Sequence, residues 1–91
     1  MEQFSATREG MNRTSAEFLK LDVQTGLTFS STALTADNEE KKERNRKAAR
    51  KAYDTVLRLG KKIELTNAEK RLLNRGLKKL RGELTALGEA I

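Results

Sequence analysis

In the stretch Thr66 to Ile91, residues Leu73, Leu77, Leu80, Leu84, Leu87 and Ile91 fall at steps of four, three, four, three and four. On a helix of 3.6 residues per turn that spacing lays one apolar stripe. Thr66 and Glu69 form the S/T-x-x-E capping box that starts such a helix. A stripe on an isolated helix buries nothing, so partners must come from the same chain or from a second copy. The upstream sequence is suited to supply them, and the fold class it predicts is all-α, an antiparallel three-helix bundle.

The first partner is expected at about residues 15–36. Thr14 with Glu17 writes a second capping box, and Phe18, Leu19, Val23, Leu27, Phe29, Ala33 and Leu34 share about half of a helical wheel. Gly26 and Ser30 are small gaps on that face, where another helix can approach. A rival reading exists here, because Leu21 and Val23, then Leu27 and Phe29, alternate around Thr25-Gly26 as a two-stranded ribbon would. Thr-Gly is a weak turn and a lone ribbon is marginal, so the helix is preferred. The preceding Met1 to Arg13 has no period and reads as a frayed, flexible tail.

The second partner is expected at about residues 38–59, with Asp37 as its cap and Gly60 as its stop. Its apolar residues, Ala48, Ala49, Ala52, Tyr53, Val56, Leu57 and Leu59, begin only after the charged run NEEKKERNRK. The alanines would let its backbone lie close to the leucine stripe. Glu40 with Arg44, Glu43 with Lys47 and Asp54 with Arg58 are spaced as acid-first ion pairs on its surface. Ile63 and Leu65, in the link to the third helix, would cover one end of the core.

Charge separates along the chain. Residues 1–40 carry three basic and seven acidic side chains (net −4), residues 41–81 sixteen and four (+12), and residues 82–91 two acidic ones (−2). These sum to the net +6 of the whole. The candidate basic face comprises Arg44, Lys47, Arg50, Lys51 and Arg58 on the second helix with Arg75, Lys78 and Lys79 on the third. Such a surface suits a nucleic-acid backbone, an acidic protein or, least well for want of Trp or Phe on the third helix, an anionic lipid, although a charged helical face is commonly just solvated. No aromatic residue is interleaved among these cations for base stacking.

Candidates for chemistry are few. The chain has no histidine and no cysteine, which removes the commonest metal ligands and the usual general base. No Gly-rich phosphate loop and no paired nucleophile and base occur, so no catalytic, metal-binding or cofactor-binding residue is assigned. Asp22 falls among Phe18, Phe29 and Ala33 on the apolar face. A buried carboxylate needs a donor, such as the Tyr53 hydroxyl or an arginine, which makes Asp22 and Tyr53 a candidate structural polar pair.

Two resemblances bear on the middle of the chain. The segment KKERNRKAARKAY resembles the DNA-contacting basic region of leucine-zipper transcription factors through Asn45, Ala48, Ala49 and Ala52. It departs from that pattern at Tyr53, where the family has arginine, and at Gly60 and Thr66, which break the continuous helix a zipper needs. The phrase NRKAARKAYDTVLRL followed by a capped leucine helix resembles short bacterial helical proteins with no assigned activity. It is also similar to helical-repeat units that pack a small-residue helix on a leucine-rich one. Both imply helices and neither implies a substrate or a site.

The expected function is therefore that of a non-enzymatic protein-interaction module, alone or as a homodimer sharing the leucine stripe. The alternative is a basic nucleic-acid-binding accessory protein. The longest uncharged run, from Val23, is interrupted by Thr, Ser, Gln and Gly, so no membrane span is expected. The start MEQFSATREGMNR lacks the features of a secretory signal, and the chain reads as cytoplasmic.

Overall fold

The computed structural model describes the backbone of residues 2–91 and the side chains of residues 15–91. Among the described residues the chain forms three helices, α1 (Glu2–Leu34), α2 (Glu39–Gly60) and α3 (Asn67–Ala86), and no strand. They pack as an all-α three-helix bundle. The pairings Val23 with Gly76 and Gly26 with Leu80 ascend together, so α1 and α3 run parallel and α2 runs antiparallel to both.

α1 is helical throughout Leu21 to Phe29, so no ribbon forms there. The β-prone run around TGLTFSSTALT is held helical by packing of Leu27, Ser30 and Ala33 into the bundle, and its exposed threonine hydroxyls are satisfied within the helix. Thr28 Oγ1 donates to Gln24 O at 3.0 Å, Thr32 Oγ1 to Thr28 O at 2.8 Å and Thr35 Oγ1 to Ser31 O at 3.0 Å. The helix does not begin at Thr14; its backbone continues back to Glu2. Between Glu2 and Thr14 Gly10 is the poorest helix former, and no proline stops a helix. The side chains of Met1 to Arg13, on which the expected tail falls, lie outside the described residues.

The cap of α2 is Asn38 rather than Asp37. Asn38 is extended (φ −144°, ψ 158°) and its Oδ1 accepts from the Lys41 amide at 2.7 Å. Asp37 stands one residue too early and instead accepts a 3.4 Å bond from Asn38 Nδ2. Gly60 ends α2 without a left-handed turn. The glycine with positive φ among the described residues is Gly88, at 97°. There the amide of Gly88 bonds Thr85 O at 3.0 Å and the amide of Glu89 bonds Leu84 O at 2.9 Å. These two bonds are a Schellman motif, which closes α3 and turns Glu89 back toward α2. The other end of α3 has the expected capping box, with Thr66 Oγ1 accepting from the Glu69 amide at 3.1 Å and Glu69 Oε1 from the Thr66 amide at 2.9 Å.

The leucine stripe is buried within one chain. Leu80 and Leu84 are fully enclosed and Leu73 nearly so, while Leu77, Leu87 and Ile91 are half-buried. Each fully buried leucine is worth about 1.5–3 kcal/mol. One cluster joins Leu19, Val23, Val56 and Leu73, with Ile63 and Leu65 closing its end. The other joins Ala49, Tyr53, Leu80 and Leu84. Ala49 thus meets the stripe as expected, but Ala52 serves α1 instead. A β-carbon on Gly26 would lie 3.2 Å from Ala52 Cβ and 2.8 Å from Leu80 Cδ2. Gly26 is therefore where three helices converge.

Candidate functional site

Parallel packing of α1 and α3 leaves a groove along their outer seam. On α1 it is lined by Lys20, Val23, Gln24 and Leu27, and on α3 by Leu72, Leu73, Arg75, Gly76 and Lys79. Its volume is about 360 Å³. The two walls repeat one pattern: Lys20, Val23, Gln24, Leu27 and Leu72, Arg75, Gly76, Lys79 are each i, i+3, i+4, i+7 sets. Such a set is one face of a helix. The floor is apolar, and Leu72 remains 54 % exposed. The rim is cationic, with Lys20 on one side and Arg75 and Lys79 on the other.

Gly76 determines how closely the walls approach. A β-carbon there would lie 2.6 Å from Val23 Cγ1, so only glycine permits this spacing. Higher up, the buried Ser30 hydroxyl bonds Glu83 Oε1 and lies 3.0 Å from Leu27 O. That bond ties α1 to α3 through a polar group inside the bundle. Neither Leu72 nor Glu83 was singled out by the stripe pattern. The signal that finds Leu72 is the second set on α3, which mixes a leucine with cations.

The candidate basic face is divided among different surroundings. Arg75 and Lys79 share the α1–α3 groove. Lys51 lines a shallow groove between α1 and α2, beside Phe18, Asp22 and Phe29. Arg50 pairs with Asp54 at 3.1 Å and reaches Glu89 at 3.7 Å, while Arg46 reaches Glu89 at 2.9 Å and Glu43 at 2.7 Å. Arg44, Lys47, Arg58 and Lys78 are exposed. The pairs formed on α2 are thus Glu43–Arg46 and Arg50–Asp54, in place of the acid-first i,i+4 pairs that spacing suggested. Glu89, carried back by the Schellman turn, recruits both guanidinium groups. Arg46 holds the Glu43 carboxyl below its ordinary value of 4.5, chiefly through their hydrogen bond.

Among the described residues no hydrogen bond joins Asp22 to Tyr53. Asp22 is half-buried against α2 at Lys51 and Thr55, and desolvation raises its carboxyl above the ordinary 3.8. Tyr53 lies one residue away from that face of α2, buried with Ala49, Leu80 and Leu84. Asp22, on α1, thus packs against one face of α2 while Tyr53 projects from another.

Among the described residues no cluster of three acidic, cysteine or histidine side chains is placed to hold a metal. No described helix is long and apolar enough to cross a membrane. Comparison of the chain with protein-family models, curated proteins and solved structures finds no significant match. The groove and the cations around it therefore carry the functional reading by themselves.

Proposed function

We propose that this chain is a non-enzymatic protein-interaction module of the cytoplasm that works through the α1–α3 groove. The observation that carries this reading is Leu72, left 54 % exposed beside Val23, Leu27 and Leu73 in a groove with a cationic rim. Concave apolar surfaces with a few placed charges are where proteins bind. The lack of histidine, cysteine and a phosphate loop supports binding over catalysis. The test is affinity capture from the source cell with nuclease-treated extract, using the full chain and a Leu72→Asp variant. Proteins retained by the first and lost by the second are the expected result. Retention that disappears with nuclease, or that ignores Leu72, refutes the reading.

A second reading, a basic nucleic-acid-binding accessory protein, is supported by the +12 carried by residues 41–81 (sixteen basic less four acidic). Exposed Arg44, Lys47, Lys51, Arg58, Lys78 and Lys79 could neutralise phosphates. Titration of unrelated DNA and RNA at low and moderate salt separates the two. Saturable binding with a steep salt slope favours nucleic acid, and no binding at low salt removes it.

A further inference from the structure

We infer that the occupant of the α1–α3 groove is an acidic amphipathic helix of a partner protein. Its apolar stripe would rest on Val23, Leu27 and Leu72, and its carboxylates would face Lys20, Arg75 and Lys79. The inference rests on reading the groove as the interaction site and adds the chemistry of the partner.

The groove's length suits a helix. Each wall spans seven residue steps, Lys20 to Leu27 and Leu72 to Lys79. At 1.5 Å per residue that is about 10 Å, two turns of a third helix laid along the seam. A helix in a groove is read through anchors at i, i+3 or i+4, and i+7, and the walls offer that register.

The charge selects the partner's sign. Three cations line the groove and no carboxylate does. Glu69 is close enough to Lys20 to feel its charge, but its carboxylate is engaged by the Thr66 amide in the capping box. Arg75 and Lys79 stand one helical turn apart on α3, so a partner with acids at i and i+4 on one flank meets both. The third acid belongs on the opposite flank, facing Lys20. A second copy of this chain, docked groove to groove, would bring the same three cations against these three, and like charges so placed are repulsive. Nucleic acid fits no better, because the floor offers phosphates only apolar surface.

The experiment uses the full chain and two synthetic helical peptides with identical leucines at i, i+3 and i+7. One peptide is flanked by glutamates and the other by lysines. Binding is followed by fluorescence titration and by amide chemical shifts. The glutamate peptide should bind, with shifts concentrated at residues 20–27 and 72–79. Arg75→Glu combined with Lys79→Glu should weaken it by about tenfold or more, the equivalent of about 1.4 kcal/mol, and should improve binding of the lysine peptide. Lys78→Glu, outside the groove, should change its affinity by less than about twofold, as a peripheral charge does. Leu72→Asp, at an exposed position, should abolish binding with an unchanged circular dichroism spectrum. If the lysine peptide binds the unaltered groove equally well, or the glutamate peptide shifts other residues only, the acidic-helix inference is overturned while the groove reading survives. If light scattering shows a dimer that Leu72→Asp dissociates, the occupant is a second copy and the inference is likewise overturned. If neither peptide shifts a groove amide and no dimer forms, both the inference and the groove reading fall.

Discussion

Gly26 and Gly82 both lie inside helices, and the same substitution should act on them with opposite sign. Replacing a helical glycine by alanine gains about 0.5–1 kcal/mol from backbone entropy and propensity. At Gly82 nothing lies within 4 Å of the added methyl, so that gain is realised in full. At Gly26 the methyl would sit 2.8 Å from Leu80 Cδ2 and 3.2 Å from Ala52 Cβ. Leu80 is fully buried, so its methyl has no free volume to swing into. Ala52 Cβ can retreat only if the α2 backbone moves with it. Overpacking of this kind costs typically about 1–3 kcal/mol. With relief blocked on both sides, the upper part of that range applies. Subtracting the propensity gain leaves Gly26→Ala less stable by about 1–2 kcal/mol. For a domain of this size 1 kcal/mol moves the melting temperature by about 4–8 °C. Thermal and urea unfolding, followed by far-UV circular dichroism, should therefore show Gly82→Ala melting several degrees higher and Gly26→Ala several degrees lower. A Gly26→Ala variant as stable as the parent would mean that α1, α2 and Leu80 do not meet at that point.

Other positions give independent checks. Ser30→Ala removes the donor that the buried hydroxyl supplies to Glu83 and should lower the urea-derived stability by about 1–3 kcal/mol; an unchanged midpoint would show that bond to be dispensable. Gly88→Ala places a β-carbon in open space but at φ 97°, so its cost is backbone strain alone, about 1–2 kcal/mol, and Gly88→Asn should be milder in the same denaturation assay. Acid should weaken the fold through Glu69 and Glu43, both held below 4.5, Glu69 by the Thr66 amide and Glu43 by Arg46. A depressed carboxyl contributes stability above its unfolded pKa and loses it as pH falls through the folded one, so the loss should develop below about pH 4.5 and be smaller in Glu69→Gln. Asp22 has the opposite sign, because desolvation raises its carboxyl above 3.8 and folding favours its protonated form. Asp22→Asn should accordingly stabilise the protein at neutral pH, measured as a rise in urea midpoint.

Where local chemistry and packing agree, the elements are readable from residues. The stripe from Leu73 to Leu84 and the Thr66–Glu69 box specify α3 because periodicity, cap and burial coincide there. The start of α1 is not legible at Thr14, because a capping box marks a helix end only where the helix stops, and nothing before Thr14 stops it. Asp37 and Asn38 are both good caps, and only the distance from Asn38 Oδ1 to the Lys41 amide decides between them. The Glu89 contacts with Arg46 and Arg50 could not be read from spacing. They depend on a left-handed Gly88 that folds the chain back on residues 43 and 39 positions earlier in the sequence.

The α1–α3 groove was hidden for a different reason. Sorting residues into an oily seam and a solvated charged exterior assigns Arg75 and Lys79 to water and leaves Leu72 as a stray. Adjacent residues on a helix differ by about 100° in direction, so Leu72 cannot enter the core that Leu73 fills. It heads a second stripe, with Arg75, Gly76 and Lys79 at i+3, i+4 and i+7, neither wholly apolar nor wholly charged. A mixed stripe adds little to a core, because buried cations would need partners that α1 does not provide there. It is stable at a seam where the leucine can lean on Val23 and Leu27 while the cations stay wet. The fold makes that seam by bringing α1 and α3 together at Gly76 and at the Ser30–Glu83 bond, with α2 on the other side. The pattern that excludes this face from the core is thus the same pattern that equips it to receive an acidic helix.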